Sequence, residues 1–315
     1  MNQPRRTFLK KTSLAAGALI SPLPLFPATD EESKISIHVF SKHLQFIKSF
    51  DELSEFIASC GFDGADLTIK PNGHILPEEV EERLPEAVAA FQKNNLSIKT
   101  ITTDITIADD INTFKILKAA NKVGIQYYRM GYFEYLDNVS MPERLLNLKL
   151  NIWQLSKMNS DFKIHGAYHN HAGTIVGSSV WDIWDLIKST YPEWIGCQFD
   201  IRNAVVEGGT SWPNDLKLIQ EYVKTVVVQD FKWEKKDGKW QVINTPLGEG
   251  MVDFPAFFKQ LKSIGFAGPI SLHFEYPEPV ESKIMSITEI KNNTKKILQR
   301  DLQKLKTYLQ EAELL

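Results

Sequence analysis

Ile35-Ser36-Ile37-His38-Val39-Phe40-Ser41-Lys42-His43-Leu44-Gln45 runs from an apolar, strand-like segment into a polar turn without a glycine. A doubly wound open sheet usually carries a glycine-rich phosphate loop directly after its first strand. The missing glycines therefore favour the other large α/β architecture, provided that strands and helices alternate through the rest of the chain. They do. Strand-like runs recur at 65–69, 98–103, 127–130, 164–169, 195–199, 225–231 and 270–274. Between them lie helical patterns at 50–60, 77–93, 111–123, 142–158, 181–190, 215–222 and 254–264, and a last helix begins near Ile287. Gly61, Gly124 and Gly265 stand where helices end. The run 225–231 is nearly all β-branched, as a parallel strand buried on both faces should be. Asp237-Gly238, between Trp233 and Trp240, marks a small charged hairpin after it. Eight strand–helix units over roughly 280 residues predict a (β/α)8 TIM barrel in one domain, 31–315.

Composition narrows the function classes. The 315 residues are 43% hydrophobic and 24% charged, enough apolar surface for a large core. A net charge of −3 and a pI near 6.2, with no basic stripe, argue against nucleic acid as a partner. The lysine-rich stretch 291–306 places Ile297, Leu302, Leu305 and Leu309 at helical spacing, so its charges read as the solvated face of a helix. Cys60 and Cys197 lie far apart in apolar segments and read as buried free thiols.

The first 30 residues read as an export signal. Arg5-Arg6-Thr7-Phe8-Leu9-Lys10 is a twin-arginine signature followed by an apolar run from Leu14 to Phe26. That run is too short and too interrupted by proline to span a membrane. Cleavage near Ala28 predicts a mature chain with no membrane span, exported to the periplasm or beyond.

In a TIM barrel, the residues at the C-terminal ends of the strands carry the chemistry. Those positions hold His38, Lys42 and His43; Asp66, Lys70 and His74; Asp104; Arg129 and Glu134; His169 and His171; Asp200, Arg202 and Asn203; Gln229, Asp230 and Lys232; His273 and Glu275. His169 and His171, at i and i+2, share one face of a strand and suit metal binding or proton transfer. Asp200 and Glu275 each follow a strongly apolar run, so their carboxylates should stand at the edge of the core. Two carboxylates with imidazoles can hold a divalent ion that keeps positions open for substrate. A helix cap for Asp200 and a salt bridge for Glu275 are the plainer alternatives. Phe40, Tyr132, Phe133, Phe231, Trp233 and Tyr276 add aromatic faces of the kind that pack on sugar rings.

Several of these motifs resemble the xylose isomerase-like barrel proteins, often called sugar phosphate isomerases/epimerases. Similar pieces are Gly61 to Thr68, Tyr168-His169-Asn170-His171, Phe199 to Ala204 with Glu207-Gly208-Gly209, Gln229-Asp230-Phe231, and Gly268 to Tyr276. The most specific is Pro246-Leu247-Gly248-Glu249-Gly250-Met251-Val252-Asp253-Phe254. The resemblance implies a divalent ion (Mn, Mg, Co or Zn) at the barrel mouth and proton transfer beside a sugar carbonyl. The family takes its ligands as Glu, Asp, His and Glu from strands five to eight. Asp200 and Glu275 match the second and fourth. Strand five offers only histidines, strand seven offers Gln229 in place of His, and Asn203 stands where many relatives have His. The expected metal set is therefore His171, Asp200, Gln229 and Glu275. His169, Glu275 and Lys232 are the expected catalytic groups, and His38, Arg129, Trp233 and His273 the expected substrate contacts; the roles of His169 and His171 are interchangeable at this point.

The expected activity is that of an exported sugar isomerase or epimerase acting on a small-molecule sugar, in a chain that can form a homo-oligomer. Two alternatives are a lyase acting on a keto-sugar glycoside, which shares the first proton abstraction, and a non-catalytic sugar-binding barrel.

Overall fold

Each parallel strand of the protein feeds a helix that returns over the outside, and the eighth strand pairs with the first. The structure, a computed structural model, describes residues 35–276 and 285–315; the twin-arginine segment lies outside them. The barrel strands are β1 (Ile37–Phe40), β2 (Gly64–Ile69), β3 (Ser97–Thr103), β4 (Tyr127–Arg129), β5 (His165–His169), β6 (Ile195–Asp200) and β7 (Val223–Val228). An antiparallel hairpin follows, β8 (Asp230–Lys236) and β9 (Lys239–Thr245), and β10 (Ile270–Leu272) completes the set. The barrel closes in the order β1-β10-β7-β6-β5-β4-β3-β2. The expected (β/α)8 TIM barrel is the observed fold.

The surrounding helices are α1 (Phe50–Cys60), α2 (Val80–Lys93), α3 (Ile111–Lys122), α4 (Met141–Phe162), α5 (Val180–Ile187), α6 (Ile201–Gly208), α7 (Trp212–Ile219), α8 (Phe254–Ser263) and α9 (Ile287–Glu311). α9 packs Ile297, Leu302, Leu305 and Leu309 inward, as its spacing predicts, and Ser286 and Glu289 close a capping box at its start. Cys60 and Cys197 are buried free thiols. No helix among the described residues is long and apolar enough to cross a membrane.

Two departures bear on the site. α6 starts directly after β6 and was not expected; the Asp200 side chain caps it by accepting from Asn203 N–H at 3.1 Å. The barrel strand β7 ends at Val228, three residues short of the expected Phe231. From Asp230 the chain runs in the hairpin instead, where Lys232 and Trp233 are both exposed. Below the mouth the barrel interior is polar: the Asp66 carboxyl accepts from Thr102 Oγ1 at 2.8 Å and from Ser271 Oγ at 2.9 Å.

Candidate active site at the barrel mouth

The strand ends enclose a cavity of about 120 Å³ lined by Phe40, Lys42, Lys70, Arg129, Tyr132, His169, His171, Gln229, His273 and Glu275. At its floor stands Asp200, fully buried. Its Oδ2 accepts from Gln229 Nε2 at 2.6 Å, Asn203 Nδ2 at 2.8 Å and His169 Nε2 at 3.0 Å. Surrounded by N–H donors, this group acts as an acceptor only, as a carboxylate does. Asn170 ties the same corner together, accepting from Asp200 N–H at 2.7 Å and donating to Asp200 O at 2.9 Å.

That arrangement sets the histidine. With Nε2–H committed to Asp200, His169 Nδ1 accepts the Tyr132 hydroxyl at 2.9 Å, and the Tyr132 oxygen accepts from Arg129 Nη1 at 3.0 Å. Burial lowers the pKa of His169 against the opposing pull of Asp200, so the ring is neutral at pH 7. Burial pushes the Tyr132 hydroxyl up to about 12, with Arg129 working in the other direction. The order Arg129, Tyr132, His169, Asp200 is a relay that runs from a guanidinium through a phenol and an imidazole to a carboxylate. It has the logic of a triad, in which an acid orients an imidazole and the imidazole receives a proton from the reacting group.

Three cations share the cavity. Lys42 Nζ lies 3.5 Å from Glu275 Oε1, and Lys70 Nζ lies 3.5 Å from Asp104 Oδ1. Desolvation lowers the pKa of Lys70, helped by Arg129. The Phe40 ring stacks on His273 at 4.1 Å between centroids, giving the cavity an aromatic wall.

The residues expected from sequence divide clearly. His169, His171, Arg129, Gln229, His273 and Glu275 line the cavity, with Asp200 beneath them. Lys232 is exposed and pairs with Glu234 at 3.0 Å on the hairpin; Trp233, on the same strand, is 41% exposed, and neither lines the cavity. His38 also misses it. It lies two residues before Phe40 on the same face of β1, one layer deeper in the barrel, with Nε2 3.4 Å from the Ser97 hydroxyl at the start of β3. Burial pushes its pKa down to about 3.

The expected metal set is not brought together. Asp200 is already surrounded by N–H groups, His171 directs Nδ1 to Ala172 O at 2.9 Å, and Glu275 turns to Lys42. His171, Asp200, Gln229 and Glu275 therefore do not fit a shared ion. At the end of β10 it is His273 that faces His169, with 6.2 Å between ring centroids. Glu275 lines the same cavity two residues further on, where it pairs with Lys42. Sequence reasoning missed Tyr132 as a proton-transfer group and placed it only among the aromatics. The signal was weak, because its partner on β5 lies 37 residues away.

The family profile described as xylose isomerase-like TIM barrel matches residues 54–308. The chain belongs to that family. Its fold is shared with D-allulose 3-epimerase from Methylomonas sp., at 14% identity and a TM-score of 0.63 over 88% of this chain and 98% of that one. 3-Keto-D-glucoside 4-epimerase from E. coli gives 14% identity and a TM-score of 0.61, over 84% and 99% of the two chains. The probable 3-DHS dehydratase AsbF from Bacillus anthracis gives 13% and 0.63, over 86% and 99%. At these identities the likeness is one of fold. No curated protein matches the sequence at a significant level.

Proposed function

We propose that the protein is a sugar isomerase or epimerase that moves a proton on the carbon beside a sugar carbonyl. The observation that carries this reading is the Arg129–Tyr132–His169–Asp200 relay opening into a cavity lined by Lys42, Lys70 and Arg129. Abstraction of a proton next to a carbonyl needs a base within reach of the carbon and positive charge near the oxygen. Tyr132 supplies the first: as its oxygen takes the proton from carbon, its own proton passes to His169 Nδ1 and Asp200 balances the imidazolium, so that no free phenolate has to form from a hydroxyl pushed up to about 12. Arg129 and the two lysines supply the second, stabilising the enediolate oxygen. Return of the proton to the neighbouring carbon completes an isomerisation; an epimerisation needs a second donor on the opposite face, for which Lys42 and Lys70 line the same cavity.

Structures that share the fold carry the names of sugar epimerases, which supports a sugar as substrate. The dehydratase among them supports elimination as the second reading, because a lyase begins with the same abstraction. The protein is also proposed to leave the cytoplasm by the twin-arginine route, on the strength of Arg5-Arg6 with Phe8 and Leu9. Incubation with free ketoses, aldoses and 3-keto-glycosides in heavy water tests the activity. Deuterium should enter one C–H position beside the carbonyl of a single substrate class. A lyase would release a fragment, and sugar binding with no exchange would leave only the binding-protein reading.

A further inference from the structure

Beside the relay, and sharing none of its groups, three other side chains converge on one point. His43 comes from the turn after β1, while His273 and Glu275 follow β10. One ligand atom from each lies within 4.8 Å of the other two, the one such group of His, Cys, Asp and Glu among the described residues. The Nε2 atoms of both imidazoles are buried and have no hydrogen-bond partner. The His273 side chain as a whole is only 5% exposed. An unpaired buried polar atom is costly and calls for a partner, and here two of them sit beside a carboxylate. The His43 ring is held against Phe274 at 4.5 Å and the His273 ring against Phe40 at 4.1 Å, so both are fixed by packing rather than by polar contacts.

We infer that His43, His273 and Glu275 form a divalent-metal site of the two-histidine, one-carboxylate kind, selective for ions that favour imidazole such as zinc or cobalt. It differs from the ligand set expected of the family, using a histidine from the β1 turn and leaving Asp200 to the relay. Three protein ligands leave coordination positions open, and two of the three, His273 and Glu275, line the mouth cavity. A metal here replaces the Lys42 ammonium, 3.5 Å from Glu275, as the partner of that carboxylate. The site rests on these contacts alone and stands whether or not the relay transfers a proton.

Equilibrium dialysis of the purified, chelator-treated protein against Zn²⁺ or Co²⁺ tests it, with metal read by elemental analysis and cobalt by its visible spectrum. The expected result is one ion per chain, cobalt bands of the intensity given by four or five ligands, and a rise in Tm on loading. His43→Gln and Glu275→Gln, both at partly exposed positions, should each abolish stoichiometric binding while keeping the metal-free Tm of the parent. His171→Asn should retain it, and Lys42→Met should tighten it about tenfold by removing a competing charge. Less than a tenth of an equivalent in the parent would overturn the inference. So would a full equivalent that survives both Gln variants or is lost in His171→Asn.

Discussion

At the residue scale the site depends on who donates to Asp200. Three side chains place N–H groups within 3.0 Å of one oxygen, so removing the acceptor leaves buried donors with nothing to bind. Asp200→Ala should cost about 3 kcal/mol or more, read as a lower midpoint in urea unfolding. Tyr132→Phe removes one hydroxyl and little packing. It should keep Tm within a few degrees of the parent while reducing turnover about 10²–10⁴-fold, the range of a lost general acid–base group. Asp200 and His169 were legible in the sequence because each ends an apolar strand, where a barrel exposes its groups. Tyr132 and His43 were less so: both lie in turns, and their partners come from strands distant in the chain.

At the element scale the hairpin is anchored by one buried acid. Asp230 accepts from the N–H groups of Gly248, Gly250, Phe231 and Val252 at 2.8–3.3 Å, binding the Pro246–Phe254 turn to the start of β8. Gly250 is required there, since a Cβ would come within 2.2 Å of Asp230 Oδ1 and 2.3 Å of Phe231 O. The most family-specific stretch of the sequence is thus a structural clamp rather than a chemical one. Gly250→Ala should lower Tm by at least several degrees, and partial proteolysis should then cut first between β8 and α8. The same hairpin explains the misplacement of Lys232 and Trp233. A strand-like run beginning at Thr225 reads as one element, yet the barrel register with β10 ends at Val228, and the chain changes partner. α6 bears out the plainer reading of Asp200 as a helix cap, although its eight residues are too few to show a helical period in the sequence.

At the scale of the whole molecule, a barrel whose interior carries histidines is sensitive to acid. Burial holds His165 near 4, whereas in the unfolded chain it titrates near 6.5. The unfolded chain therefore binds the extra proton. The stability this residue leaves intact above pH 6.5 is lost as pH falls from 6.5 towards 4, at up to about 1.4 kcal/mol per pH unit. His165→Gln, which can keep the hydrogen bond to Glu193 O, should make the fall of Tm across that window shallower; equal slopes would exclude this source. Alternation and the glycine-free first turn made the eight-stranded barrel readable from sequence, because both are local signals. Which groups meet in its mouth depends on register between strands far apart in the chain, and that is set only by closure. The proposed export has its own test: Arg5→Lys together with Arg6→Lys should retain the protein in the cytoplasmic fraction.

In the proposed reaction Tyr132, paired with His169 and Asp200, moves a proton on a carbon beside a sugar carbonyl. Its most direct test is the rate of deuterium incorporation from heavy water into the exchanging sugar, followed by NMR for the parent and Tyr132→Phe. The expected result is exchange at one C–H position by the parent and a loss of about a hundredfold or more in a folded Tyr132→Phe protein. Exchange at the parental rate in Tyr132→Phe, or no exchange by the parent with any ketose, aldose or keto-glycoside, would contradict it.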